Sequence, residues 1–187
     1  MGSTEVDPVA VITDSQVRAQ TLCDRHDLAV ALASVRWDTS SRAKRRAAAV
    51  RRPRVPDARI GRPIAWEETA FERCPEVTLV LTLAAATSLA PMVWDGVLLH
   101  ELLHIEQFQR FGATDHGPAF RDRAAAVGAP LTVPRFATPR YALRCSVCES
   151  TVAERYRRSR VVTDRHRFRS GCCDAPLMLI ERRRPTR

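Results

Sequence analysis

Two histidines and a glutamate share one turn of a predicted helix in the middle of the chain. Residues 100–104 read HELLH, and the residues around them are apolar: Val97, Leu98, Leu99, Leu102, Leu103 and Ile105. On an α-helix, positions i and i+4 lie about 6 Å apart along the axis on the same face, so both imidazoles can bind one metal ion. A buried cluster of this kind needs a compensating partner. The segment therefore predicts a buried metal-binding helix over residues 95–111.

The spacing of these residues is typical of catalytic zinc sites. His100 and His104 are the predicted ligands, and Glu101 is placed to accept a proton from water rather than to bind the metal. Such sites usually have a third protein ligand. The longer pattern HExxHxxGxxH is absent, and the remaining candidate is His116, which directly precedes a second predicted helix over residues 118–127. The alternative is that His116 is an ordinary surface histidine.

Four of the six cysteines lie near the end of the chain. Cys145 and Cys148 form a CxxC pair, whereas the second pair is Cys172 and Cys173, with Ser170 at the position of the expected first cysteine. Four thiolates would form a closed structural zinc site, and little else in this segment could make a core. We predict a small zinc ribbon in which these four cysteines bind zinc, with His166 as an alternative ligand.

The histidine segment resembles a known family. HELLH, eleven intervening residues and then HGPAF (residues 116–120) are similar to the SprT-like zinc metallopeptidases. The resemblance covers about residues 14–182, and the cysteines match the zinc ribbon of many prokaryotic members. It implies an α+β chain, with a zincin-like metallopeptidase domain followed by a small β ribbon. Carried over by position, the zinc ligands are His100, His104 and His116, and the catalytic base is Glu101.

The chain divides into modules at its proline-rich segments. Residues 1–13 are predicted as an N-terminal tail, residues 14–136 as the metallopeptidase domain and residues 141–182 as the ribbon. Three prolines within residues 130–139 indicate a stiff connector between the two modules.

Within the first module, the pattern predicts one further helix and three strands. The helix is expected over residues 15–34, and a basic β-hairpin over residues 35–50. Prolines and Gly61 indicate a loop over residues 53–63. The β-branched run at residues 77–83 predicts a strand that is buried on both faces, along whose edge an extended peptide could pair.

The net charge of +9 is concentrated in two blocks. Residues 36–62 carry +8 and residues 144–187 carry +7. Nucleic acid is the acidic partner that such blocks favour, and Tyr156 and Phe168 among the arginines would offer stacking surfaces. We predict binding to DNA, single-stranded or junction-like; the alternative is a solvated arginine-rich surface. The predicted contacts are Arg42, Lys44, Arg45, Arg46, Arg155, Arg157, Arg158 and Arg160.

The start of the chain has no signal-peptide pattern, and polar residues interrupt the longest uncharged run, residues 77–94. We therefore expect no membrane segment, and a cytoplasmic, nucleoid-associated protein. The predicted function is zinc-dependent hydrolysis of peptide bonds in protein substrates, with one catalytic and one structural Zn²⁺; the resemblance implies substrates bound or crosslinked to DNA. The alternative is a non-catalytic DNA-binding zinc-ribbon protein, a regulator, in which the HExxH domain is structural.

Overall fold

Helices and two small sheets occupy largely separate stretches of the chain, which makes it an α+β protein. The computed structural model describes residues 6–182, which form two units that divide between Phe136 and Ala137. The first unit contains helices α1 (Pro8–His26), α2 (Leu83–Ser88), α3 (Pro91–Phe111) and α4 (Pro118–Val127), and strands β1 (Val35–Ser40), β2 (Ala48–Arg51) and β3 (Val77–Thr82).

Strand β3 lies at the centre of a three-stranded sheet in the order β1-β3-β2. It is parallel to β1 and antiparallel to β2, and its residues are almost all buried. The strand predicted over residues 77–83 is thus confirmed, but its proposed role as a substrate edge is wrong. The predicted hairpin over residues 35–50 is also wrong, because β3 separates its two strands. A strand that is apolar on both faces takes the central position, and the more exposed β1 and β2 take the edges.

Helix α1 begins earlier and ends earlier than predicted. The side chain of Asp7 caps it by accepting a hydrogen bond from Val9 N at 2.9 Å, and Pro8 occupies its first turn. It ends at His26, where Asp27 adopts the left-handed conformation with φ of 47°. The prediction over residues 15–34 is therefore wrong at both ends, and residues 8–13 of the predicted tail are helical. The Asp-Pro pair is the stronger start signal because proline favours the first helical position.

Helix α3 forms the buried axis of the first unit. It begins four residues before the predicted start and ends, as predicted, before Gly112, whose φ of 66° suits glycine. The bounds of α4 and the absence of helix or strand at residues 53–63 are confirmed. Side chains from α3 and β3 dominate the core, including Leu79, Leu81, Leu98, Leu102, Leu103, Ile105 and Phe108.

The second unit is a small antiparallel sheet with a short helix. Its strands are β4 (Tyr141–Cys145), β5 (Thr151–Arg155) and β6 (Leu177–Glu181), in the order β5-β4-β6, and its helix is α5 (Arg160–Thr163). Four buried side chains form its core: Tyr141, Leu143, Val162 and Leu177. Among the described helices of both units, none has the length and apolar character that a membrane span requires.

Candidate metal centres

The three predicted histidines converge on one point in the first unit. His100 and His104 come from α3, and His116 comes from the loop that precedes α4. Their Nε2 atoms form a triangle with sides of 3.2 Å (His100–His104), 3.0 Å (His104–His116) and 3.1 Å (His100–His116). Nitrogens at such separations can share one zinc ion at about 2.0–2.1 Å, with N–Zn–N angles of about 91° to 106°. The group could therefore hold a metal ion, and its ligand set is compatible with zinc.

The Nδ1 atoms of His100 and His104 face hydrogen-bond partners, which leaves their Nε2 atoms free to bind a cation. His100 Nδ1 donates to the carbonyl oxygen of Pro130 at 2.8 Å, and His104 Nδ1 lies 3.4 Å from Oε1 of Gln107. A neutral imidazole that donates through Nδ1 presents a lone pair at Nε2. Lone pairs facing one another at about 3 Å repel unless a cation lies between them. The three converging imidazole nitrogens are therefore chemically suited to bind a metal ion.

The protonation of the histidines also favours metal binding. Burial, together with the neighbouring His100 and His116, lowers the pKa of His104 to about 4. Burial lowers the pKa of His100 as well, against the hydrogen bond to Pro130, which raises it. Both rings are therefore neutral at pH 7, which is the form that binds metal ions.

Gln107 connects two of the candidate ligands. Its Oε1 faces His104 Nδ1 and accepts a hydrogen bond from Asp115 N at 3.3 Å, while its Nε2 donates to Asp115 Oδ1 at 3.5 Å. Asp115 directly precedes His116. Sequence reasoning missed Gln107, although its place three residues after His104 puts it on the same helix face.

Phe120 forms one wall of the histidine site. It is buried, and its ring stacks on His104 with a centroid distance of 4.4 Å and an interplanar angle of 16°. It also meets His100 and His116 edge-on. This aromatic contact restricts the rotation of all three imidazoles.

Glu101 lies beside the histidines without joining the ligand group. It is buried, and its Oε2 accepts a hydrogen bond from Val50 N of β2 at 3.0 Å. Burial raises its pKa to about 7, against the Val50 N–H and the charge of Arg46, which lower it. A carboxyl group that titrates near neutral pH is well suited to accept and return a proton.

The free edge of β2 runs next to Glu101. Thr82 N donates to Ala47 O across the β2–β3 pairing, and successive residues of an antiparallel strand alternate between facing the partner strand and facing away. The N–H and C=O groups of Ala48 and Val50 therefore point away from β3. Within residues 6–182 no strand covers this edge.

The four predicted cysteines meet in the second unit. Their Sγ atoms all lie within 4.8 Å of one another, and Cys148 and Cys172 are 3.4 Å apart. Four thiols in this arrangement could hold a metal ion with no open position, which is compatible with structural zinc. His166, the alternative ligand, lies in the 3-10 turn Arg165–Arg167 and is not part of the group. The adjacent Cys172 and Cys173 therefore both belong to it.

Ser170 supports the cysteine group from behind. Its buried hydroxyl donates to Cys145 Sγ at 3.2 Å and accepts from Ala175 N at 3.0 Å. The hydrogen bond to Ser170 is the largest of the effects that lower the pKa of Cys145. Sequence reasoning treated this serine only as a missing cysteine, so its supporting role was missed. The sequence signal for this role is that Ser170 stands where the first cysteine of the second pair is expected.

The predicted nucleic-acid contacts lie on exposed segments. Arg42, Lys44, Arg45 and Arg46 lie between β1 and β2, Arg155 ends β5, and Arg157, Arg158 and Arg160 follow it. All eight are exposed. The predicted stacking surfaces, Tyr156 and Phe168, are both half-buried: Phe168 packs against the core of the second unit, and the hydroxyl of Tyr156 donates to Ala137 O at 3.3 Å.

Comparisons of the chain with protein-family models, with curated proteins and with solved structures found no match. The resemblance to SprT-like metallopeptidases therefore stays a prediction that rests on residues 100–120 and on the cysteines.

Proposed function

We propose that this protein is a zinc-dependent metalloendopeptidase of the SprT-like, zincin-like type, with a zinc ribbon as its second unit. One observation carries the proposal: three imidazole Nε2 atoms converge at 3.0–3.2 Å beside a buried carboxyl group. The proposed cofactors are one catalytic zinc at His100, His104 and His116, and one structural zinc at the four cysteines. The intact Glu101 argues against a purely structural domain, because a scaffold does not need a base there.

The proposed mechanism assigns a separate task to each residue. A zinc ion bound by the three histidines would polarise the scissile carbonyl and lower the pKa of the attacking water. Glu101 accepts the proton of that water and returns it to the leaving amine. The hydrogen bond from Val50 N fixes the orientation of the carboxylate through Oε2. Because burial raises the pKa of Glu101 to about 7, the carboxyl group can both accept a proton from water and return it to the amine at neutral pH.

The free edge of β2 is the proposed binding surface for the peptide substrate. An extended peptide can add to a sheet edge through main-chain hydrogen bonds. The N–H and C=O groups of Ala48 point away from β3 and are the proposed partners of the peptide, whereas Val50 N already donates to Glu101. A peptide paired at Ala48 would therefore pass directly beside Glu101.

A pair of matched glutamate variants tests the proposed hydrolysis. Glu101→Gln should retain the metal of the histidine site and lose cleavage of an unfolded protein such as casein, because glutamine cannot accept the proton. Glu106→Gln makes the same change on the same helix, where Glu106 instead pairs with Arg123 at 3.3 Å, and should cleave like the wild type. Undiminished cleavage by Glu101→Gln would contradict the proposal.

We further propose that the two basic segments bind DNA and thereby recruit the enzyme to DNA-associated or DNA-crosslinked proteins. The eight exposed cations support this, since none of them pairs with a carboxylate in the described part of the chain. Each phosphate contact should add about 0.7 to the slope of log K against log salt for single strands. Triple alanine variants of Arg42, Lys44 and Arg45, and of Arg155, Arg157 and Arg158, should each reduce that slope. An affinity independent of salt would contradict this.

A further inference from the structure

Gly96 allows an unusually close approach of the chain to α3. It lies inside this helix, one turn before His100, although glycine is among the least favourable residues in a helix interior. A Cβ atom at this position would lie 3.1 Å from Cδ and 3.2 Å from Cγ of Pro130. These separations are shorter than ordinary van der Waals contacts. The missing side chain is therefore what lets the ring of Pro130 lie against the helix.

The same proline supports a candidate metal ligand. Its carbonyl oxygen accepts the hydrogen bond from His100 Nδ1 at 2.8 Å, the shortest of the hydrogen bonds to the three imidazoles. Pro130 follows α4, where Ala129 N donates to Ala124 O at 2.8 Å and fixes the preceding residue. On the other side, the ring contact with Gly96 sets how near the carbonyl comes to His100.

We infer that Gly96 and Pro130 act together as positioning residues for His100. The contact at Gly96 seats the proline ring, and the proline carbonyl then fixes the tautomer and the ring plane of His100, so that Nε2 faces the other two histidines. Hydrogen bonds of this kind behind a metal-binding histidine typically change metal affinity by about 10- to 100-fold. The inference rests on the proposed function in one respect, since it requires the histidine site to bind zinc.

Three variants separate this role from a general effect on folding. Gly96→Ala adds the Cβ that displaces Pro130 by a few tenths of an ångström, which weakens the hydrogen bond to His100. Pro130→Ala removes the ring and keeps the carbonyl. The double variant combines the added Cβ with the missing ring, so the close contact no longer exists. If Gly96 were an ordinary helix residue, Gly96→Ala would favour the helix and leave metal binding unchanged.

Zinc affinity of the full chain is the readout, measured by competition with a chromophoric chelator. The cysteine site serves as an internal control, because Co²⁺ bound to thiolates is followed separately by its charge-transfer absorption. We expect Gly96→Ala to weaken zinc binding at the histidine site about tenfold, with the cysteine site unchanged. The double variant should bind within about twofold of Pro130→Ala alone.

Each contrary result has its own meaning. Wild-type affinity in Gly96→Ala, or a double variant that binds zinc about tenfold more weakly than Pro130→Ala alone, would overturn the inference and leave the proposed function standing. If the wild type itself binds no zinc at the histidines, the proposed function fails and the inference fails with it.

Discussion

Gln107 and Pro130 support the histidine site from behind, each at a different ring. Pro130 offers a main-chain carbonyl to His100, whereas Gln107 offers a side-chain oxygen to His104 and also binds Asp115, next to His116. Gln107 therefore links the helix that carries two of the ligands to the loop that carries the third. Its amide can do this because one end accepts and the other donates.

Replacement of Gln107 by leucine should weaken metal binding without unfolding the protein. The side chain is buried, so leucine fills a similar volume but removes the hydrogen bonds to His104 and Asp115. We expect zinc affinity at the histidine site to fall about 10- to 100-fold. Gln109→Leu is the matched control, because Gln109 instead binds Ala31 and Ser34, and its zinc affinity should equal that of the wild type. Equal losses in both variants would refute a specific role for Gln107.

The buried Glu101 should make the metal-free protein less stable at neutral pH than a neutral side chain would. Its pKa is raised to about 7 in the folded state, so the folded protein binds a proton more readily than the unfolded chain does. The charged carboxylate of Glu101 therefore lowers the free energy of unfolding. This penalty is complete above pH 7 and absent below about pH 4.5, where the carboxyl group is protonated in both states. Glu101→Gln should raise the free energy of unfolding by up to about 3 kcal/mol above pH 7, and this gain should vanish below about pH 4.5.

Denaturant unfolding at several pH values, followed by tryptophan fluorescence, measures this difference. Trp37, Trp66 and Trp94 all lie in the first unit, so the signal reports that unit alone. Glu106→Gln removes an ion pair with Arg123 and should give no such gain. A stability difference for Glu101→Gln that does not change between pH 4 and pH 8 would contradict the raised pKa.

At the scale of secondary structure, β2 contributes to the site through one outward N–H group. Val50→Pro removes the donor to Glu101 and leaves the pairing with β3 intact, because Val50 N points away from β3. The pKa of Glu101 should then rise, since the Val50 N–H lowers it. We expect the acid limb of kcat/KM against pH to move up by about one unit.

Ala49→Pro is the control for this variant. The N–H group of Ala49 faces β3, so this substitution should lower the stability of the sheet instead. Equal pH profiles in Val50→Pro and the wild type would refute the role of Val50.

Local signals made several of these elements predictable from the sequence, and the absence of local signals explains the errors. The end of α3 at Gly112 and the bounds of α4 follow from glycine and proline rules that involve only neighbouring residues. The histidine and cysteine spacings likewise identify residues that the structure brings together. The order β1-β3-β2 depends on which strand is buried on both faces, which is a property of the whole sheet, and the sequence pattern favoured a hairpin of adjacent strands instead. The positions of Gln107 and Ser170 place them near the two groups, but their roles depend on contacts across loops, to Asp115 and to Ala175, which spacing alone does not specify.

At the scale of the molecule, each unit contains one candidate metal group among residues 6–182, and the folding of the second unit should depend on its metal more than the folding of the first. The first unit has an extensive core built around α3 and β3, to which the histidine site adds little. The second unit has a small core, whose buried cluster consists of Tyr141, Leu143, Val162 and Leu177. The core of a domain this small rarely supplies more than about 3–5 kcal/mol, so such domains commonly add a metal or disulfides, and the cysteines form no disulfide among the described residues. Metal binding at the cysteines should therefore hold the second unit folded.

Removal of metal from the full chain should unfold the second unit and leave the first unit folded. Trypsin should then cut rapidly among the arginines between β5 and β6, because a metal-dependent fold opens when its ligands are released, while a fragment that covers the first unit persists. Tryptophan fluorescence should stay unchanged, since the three tryptophans lie in the first unit, and tyrosine signals should change, since Tyr141 and Tyr156 both lie in the second. Cys148→Ser should show the same cleavage without a chelator, and His116→Ala, which alters only the histidine site, should not. If the chelated chain stays resistant within residues 137–182, the small core alone holds that unit, and the structural role of the metal is refuted.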